Sequence, residues 1–156
     1  MDGNEEELTP VDPAYRTVLR IQAALAAIPI TIFAIVPSIG IDGWWMYAGL
    51  PALLLIAYLV IRLPHRRWSS RGYSLAEERL RTVKGVLFHS DTVVPFGRVQ
   101  HLDVDQGPLE RAFGLATLTV HTAGSHNASV HVPGLRHETA VEIRETIRAA
   151  IRRKTQ

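Results

Sequence analysis

The chain has 156 residues, 47% of them hydrophobic, with a formal net charge of +2 and no cysteine. The missing thiols exclude disulfides, Cys-ligated zinc and thiol catalysis, and no nucleic acid is expected as a partner. These averages conceal three regions of different character: an acidic start, an apolar stretch and a basic, polar remainder.

Residues 1–15 open the chain with Asp2, Glu5, Glu6, Glu7 and Asp12, two prolines and no basic residue. That composition predicts a short disordered, cytoplasmic tail. Two apolar stretches follow, Ile21 to Ile41 and Trp44 to Ile61, with only Asp42-Gly43 between them and every Lys and Arg outside the pair. A helix needs about 20 apolar residues to cross about 30 Å of hydrocarbon. The first stretch has that length; the second reaches it with Arg62 and Leu63 snorkelling at its end.

Residues 16–64 are therefore read as a two-helix transmembrane hairpin. Arg16 and Arg20 precede it, while Arg62, Arg66, Arg67 and Arg71 follow it. The bias of basic residues predicts a multi-pass protein of the plasma membrane with both termini in the cytoplasm. Trp44, Trp45, Tyr47 and Trp68 stand where interfacial aromatic rings are expected. A cleaved signal peptide fits less well, because the first stretch exceeds a typical apolar core and leads straight into a second.

From Arg62 onward the chain carries 15 Lys and Arg against 9 Asp and Glu, which leaves +6. Such a segment is attracted to an anionic leaflet, by about 1 kcal/mol for each basic residue near the surface. Residues 65–156 change to short segments punctuated by Gly, Pro, Ser and Asp, the pattern of an antiparallel β domain. Strands are predicted near 71–74, 79–84, 86–95, 98–106, 115–122 and 129–132. Pro108 to Gly114 predicts one short helical turn that tucks Leu109 and Phe113 into the core. The last element is a helix from His137 to Arg153, with Ala140, Ile143, Ile147, Ala150 and Ile151 on one face. An α+β half-barrel capped by a C-terminal helix, the pleckstrin-homology (PH) architecture, is a compact way to bury that face.

Longer stretches sharpen this reading: Arg71 to Leu75, Thr92 to Val104, Gln106 to Leu118 and Thr122 to Gly124. In order and context they resemble the bacterial YdbS-like, membrane-flanked PH-like domain proteins, and the likeness covers nearly the whole chain. It implies a PH-like fold on the cytoplasmic side of the plasma membrane, alongside a larger multi-pass membrane protein that carries several such domains. It implies no enzyme activity, no catalytic residue and no cofactor. Gly72, Tyr73, Pro95, Arg98, Gln100, His101, Gln106, Gly107, Arg111, Gly114, Thr122 and Gly124 act as its structural signature, with Gln100-His101 expected to make an inter-strand hydrogen bond.

Three side-chain groups bear on chemistry. His101-x-Asp103-x-Asp105 places an imidazole and two carboxylates on one strand face; the plainer reading, a polar solvent-facing strand, is preferred and no metal is assigned. His121 and His131 are expected to oppose each other across the hairpin around residues 123–127, with His126 nearby. Arg66, Arg67, Arg71, Arg79, Arg81 and Lys84 are the candidate lipid- or partner-binding cations, with Arg98 and Arg111 as further members of a basic rim. The function read from all this is a non-enzymatic membrane-anchored scaffold that binds a membrane-protein partner or anionic lipid headgroups. The alternative is an accessory subunit of a transport, envelope-stress or antimicrobial-resistance complex. It would act through the hairpin, with Pro29, Pro37, Ser38, Gly40, Gly49 and Pro51 allowing kinks and close contact.

Overall fold

The computed structural model describes residues 8–40, 45–76, 78–86, 88–123 and 129–155. Helix α1 spans Ala14–Gly40 and helix α2 spans Trp45–Ser69. At 1.5 Å per residue each is about 40 Å long, and two such helices separated by four residues and packed side by side run antiparallel. Helix α1 begins before the apolar run because Asp12 caps it: its Oδ1 accepts from the Ala14 N–H at 2.8 Å, and Pro13 supplies the preset first turn. Helix α2 outlasts the apolar run and continues through Pro64 to Ser69.

The stretch Ala14–Phe33 is long and apolar enough to cross a membrane, and only 11% of it is buried. Large side chains on both helices stay uncovered; Phe33 is 81% exposed and Leu54 64%. Leaving each such side chain in water costs about 1.5–3 kcal/mol relative to burial. The turn Asp42-Gly43 and Trp44 lie outside the described residues, as do the side chains of Trp45 and Tyr47.

Strands β1 (Thr9–Pro10), β2 (Gly72–Leu75), β3 (Arg79–Lys84) and β4 (Ser90–Pro95) form one antiparallel sheet in chain order. A 3-10 turn, Phe96–Arg98, leads to β5 (Val99–Asp105) and then α3 (Pro108–Ala112). Strands β6 (Leu115–Thr122) and β7 (Ser129–Arg136) complete a second sheet in the order β5-β6-β7, and α4 (His137–Thr155) packs over all three. Leu80, Val94 and Phe96 from one side meet Leu118, Val120 and Val132 from the other, and Ala140, Ile143 and Ile147 of α4 close the core. Ala150 and Ile151 pack against it, so the predicted apolar face of the helix is the buried one.

Three expectations require correction. The strand predicted over 86–95 begins at Ser90. The strand predicted to end at Val132 continues to Arg136: Leu118 pairs with Val132 but Ala116 pairs with Leu135, so Pro133 and Gly134 together oppose Thr117 in a bulge that needs no ladder bond from proline. The disordered tail is corrected in its second half. Thr9 and Pro10 pair with Tyr73 and Gly72, and the Asp12 N–H donates to Gly134 O at 2.9 Å. Residues 1–7 lie outside the described residues.

That N-terminal segment seeds a second apolar cluster, made by Val11, Tyr15, Val18, Leu19 and Leu115, with Trp68, Leu109 and Phe113 packed against it. It joins the start of α1 and the end of α2 to the β domain. Leu109 and Phe113 therefore pack, half-buried, here at the joint and not in the main core. Trp68 is likewise a joint residue: its indole N–H donates to the carbonyls of Val11 at 3.1 Å and Asp12 at 3.2 Å. Gly134 has φ +74°, and a Cβ there would lie 2.6 Å from Tyr15 Cγ. Gly134→Ala is expected to lower stability by about 1–3 kcal/mol. In chemical denaturation in mild detergent, Gly97→Ala, whose added carbon meets nothing within 4 Å, should shift it by less than about 0.5 kcal/mol.

Candidate functional site

The six candidate cations fall into separate settings. Arg66 and Arg67 are exposed in the last turn of α2, where the helix carbonyl end favours positive charge. Arg71 turns into the joint: its Nη1 donates to the Tyr15 hydroxyl at 2.6 Å, and its guanidinium carbon lies 5.5 Å from that ring's centroid. Arg16, on α1, lies 5.6 Å from the Trp68 ring centroid. Arg16 and Arg71, from the basic flanks of the two helices, thus help to build the joint.

Arg79 and Arg81 project from β3 on the face opposite the buried Leu80 and Thr82. Arg81 is held by Asp91 on β4, Nη2 to Oδ2 at 2.6 Å, with its Nε bonding both carboxylate oxygens at 3.1 Å. Those hydrogen bonds hold the Asp91 carboxyl below its ordinary range. Lys84 alternates to the other side and meets Arg71 at a cleft of about 240 Å³, lined also by Thr82, His131 and Pro133. Arg98 and Arg111 sit on the 3-10 turn and on α3, so the single basic rim drawn from the sequence is distributed over several elements.

The outer face of β5-β6-β7 carries a polar grid. His101 and His121 are directly paired, as are Asp103 and Thr119. Both imidazoles reach one carboxylate, His101 Nε2 to Asp103 Oδ1 at 2.8 Å and His121 Nε2 to Asp103 Oδ2 at 3.2 Å. With Nε2 donating, a neutral His121 leaves Nδ1 to accept from Ser129 Oγ, 2.9 Å away. The expected His121–His131 opposition is not formed: His121 pairs with Ser129, and His131 pairs with Thr119, whose hydroxyl lies 3.0 Å from His131 Nδ1. Asp105 pairs with Thr117 and stays out of the cluster. Among the described residues no group of three or more His, Asp or Glu is placed to hold a metal ion. His126 lies outside the described residues.

Ser129, His121 and Asp103 follow the order of a nucleophile relay with the two ring nitrogens exchanged. The group lies on an open sheet face, with the His121 and Asp103 side chains 39% and 41% exposed. Nothing there excludes water from a reacting bond.

The signature residues serve local geometry. Gln106, just past β5, ties to β6 with its Nε2 donating to Leu115 O at 2.7 Å, and His101 pairs with His121 across the strands. Gln100 is the extra residue of a bulge, since Val99 pairs with Thr122 but His101 with His121. Gly72 lies on β2 beside Pro10, Tyr73 packs against both apolar clusters, and Pro95 leads into the turn holding Arg98. The Gly107 N–H donates to Glu110 at 3.0 Å, Arg111 returns its N–H to Gly107 O, and Gly114 leaves α3 at φ +66°. Gly124 lies outside the described residues.

A family model for the bacterial PH domain matches residues 16–151. The chain belongs to the bacterial PH domain family. Over 110 residues it is 31% identical to the UPF0699 transmembrane protein YdbS of Bacillus subtilis (strain 168), covering 67% of this chain and 65% of that protein. The matched stretch thus spans just under two thirds of the relative's length. No solved structure matches the chain. This bacterial PH domain protein is membrane-associated, as its YdbS-like sequence and its uncovered apolar helix agree.

Arg71→Ala and Tyr15→Phe are each expected to destabilise the protein and to couple by about 1 kcal/mol in a double-mutant cycle. Arg66→Ala and Arg67→Ala, on the exposed helix end, should leave the same denaturation midpoint unchanged. A pH effect follows from Tyr73, whose phenol is raised above its ordinary value of 10.0 by burial and then by the Glu142 charge. The folded state holds that proton more tightly, so the contribution is complete below about pH 10 and is lost as pH rises through the raised value. Denaturation across that alkaline range should show a shallower loss in Tyr73→Phe than in the parent chain.

Proposed function

We propose that this protein is a non-enzymatic scaffold that holds a PH-like domain at a fixed attitude on the cytoplasmic leaflet, for binding by a membrane-protein partner with anionic headgroups assisting. In this reading α1 and α2 both span the plasma membrane, residues 16–64 form the hairpin, residues 65–156 form the presented domain, and both termini are cytoplasmic. The partner is a larger multi-pass membrane protein with PH-like domains of its own.

The observation that carries the proposal is the joint. Val11, Tyr15, Val18 and Leu115 are all less than 9% exposed and pack both helices directly onto the β domain. A domain on a loose linker samples many orientations, whereas one packed on its anchor presents one surface to the plane of the bilayer. Tethering also raises the local concentration of that surface for membrane partners. The apolar band on α1 and α2 supports two spans, and Arg16, Arg20, Arg62, Arg66 and Arg67 at the domain end support the orientation. We assign headgroup contact first to Arg66 and Arg67, with Arg79 and Lys84 extending the basic surface.

The cysteine-free chain is a ready background for accessibility labelling. A cysteine at Asp42→Cys should react with an impermeant maleimide in intact cells, and one at Arg153→Cys only after permeabilisation. Crosslinking and affinity purification of the tagged full chain in mild detergent should then recover one stoichiometric membrane protein. Equal labelling of both sites overturns the hairpin, and recovery of the chain alone overturns the scaffold.

A further inference from the structure

We infer that the free edge of β5, with α4 beside it, is a docking groove for an extended acidic segment of a protein partner, which adds as a fourth strand to the β5-β6-β7 sheet. This deepens the scaffold reading and rests on it, because it names the chemistry by which the partner is held. Among the described residues, strand β5 ends its sheet and pairs with β6 alone. An edge strand offers a row of N–H and C=O groups to another chain, and main-chain pairing of that kind is a common way to hold an extended peptide.

The edge is not a flat surface. Val99, Gln100, His101 and Leu102 form one wall of an open groove of about 550 Å³, and Arg148, Ile151 and Arg152 stand on the α4 wall with Glu145. That volume lies inside the range of about 300–1,000 Å³ typical of ligand sites. Gln100 is the bulge residue that the β6 register skips, so β5 bends at the middle of the groove.

Side-chain chemistry selects the occupant. Leu102 is buried and Val99 and Ile151 are half-buried, which supplies an apolar floor. The rim is cationic: Glu145 accepts from Arg144 at 3.0 Å and from Arg148 at 3.2 Å, so its charge is met within α4. The exposed Arg152 extends the positive side by one further turn. On the strand side His101 already engages Asp103 at 2.8 Å, which turns that carboxylate away from an incoming anion. An extended segment alternates its side chains, so apolar residues meet Val99 and Ile151 while acidic residues meet Arg148 and Arg152. A lipid headgroup would use the cations but neither the apolar floor nor the strand edge.

The test uses the full chain in nanodiscs of neutral lipid and, as probe, a blocked peptide of about eight alternating Val and Glu residues, long enough to overlap the groove. Saturable binding by fluorescence anisotropy is expected. Methylating the backbone nitrogens of one alternate set should weaken it at least about tenfold, by removing bonds to the edge, while methylating the other set changes little. Arg148→Glu with Arg152→Glu, both on the exposed side of α4, should also weaken the peptide by about tenfold. Absence of binding, or binding indifferent to both methylation patterns, overturns the groove; so does displacement of the peptide by anionic vesicles that act through Arg148 and Arg152. If the peptide fails while maleimide labelling and partner recovery are intact, this inference falls and the scaffold stands. A chain that never inserts overturns the scaffold itself.

Discussion

The structure depends on one piece of packing: residues 11–19 wedged between Trp68, Leu115 and Gly134. Each large apolar side chain buried there contributes about 1.5–3 kcal/mol, and its neighbours come from parts of the chain more than 50 residues apart, as the Trp68 indole bonds to Val11 and Asp12 show. Just before that segment Thr9 and Pro10 add a strand to β2, and Asp12 both caps α1 and receives Arg136 on its Oδ2 at 2.7 Å. One carboxylate therefore ends a helix and ties it to the sheet. The family match, residues 16–151, includes the helices and the domain together.

How much of this was legible follows from the length of each signal. The α4 face repeats over four turns and the strands of β3 and β6 alternate over six or eight residues, so period alone located them. The joint has no such period. Its strand is two residues long, and the Asp12-Pro13 pair, a serviceable helix start, sat in a stretch whose acidity and prolines pointed to disorder. Trp68 presents the same difficulty from the other end: an aromatic next to arginines after an apolar run reads as an interfacial ring, and only the fold brings Val11 to it.

Pairing errors have a different cause. Two histidines flanking a loop face each other only if the loop length sets that register, and a shift of two residues keeps every side chain on its face while exchanging partners. His131 accordingly meets Thr119 and leaves His121 to Ser129. The basic rim was partly readable, since Arg79 and Arg81 share odd positions and Lys84 does not. Asp91, seven residues and a turn beyond Lys84, was the unread part: its carboxylate engages Arg81 as soon as β3 and β4 pair.

The division of surfaces bears on what the fold is for. The joint draws on β2, α3, β6, β7 and the two long helices, and the β5–α4 groove shares no residue with it. Between them lies a single core that contains Leu102, Leu118 and Ile147, close-packed and therefore stiff. In the proposed groove, a segment held at the β5 edge would pull on that core and not on the joint, so its binding need not loosen the joint. In the proposed scaffold, a stiff core between two separate surfaces would also fix the distance from bilayer to partner. With that geometry, the proposed scaffold would set where a neighbour sits above the membrane.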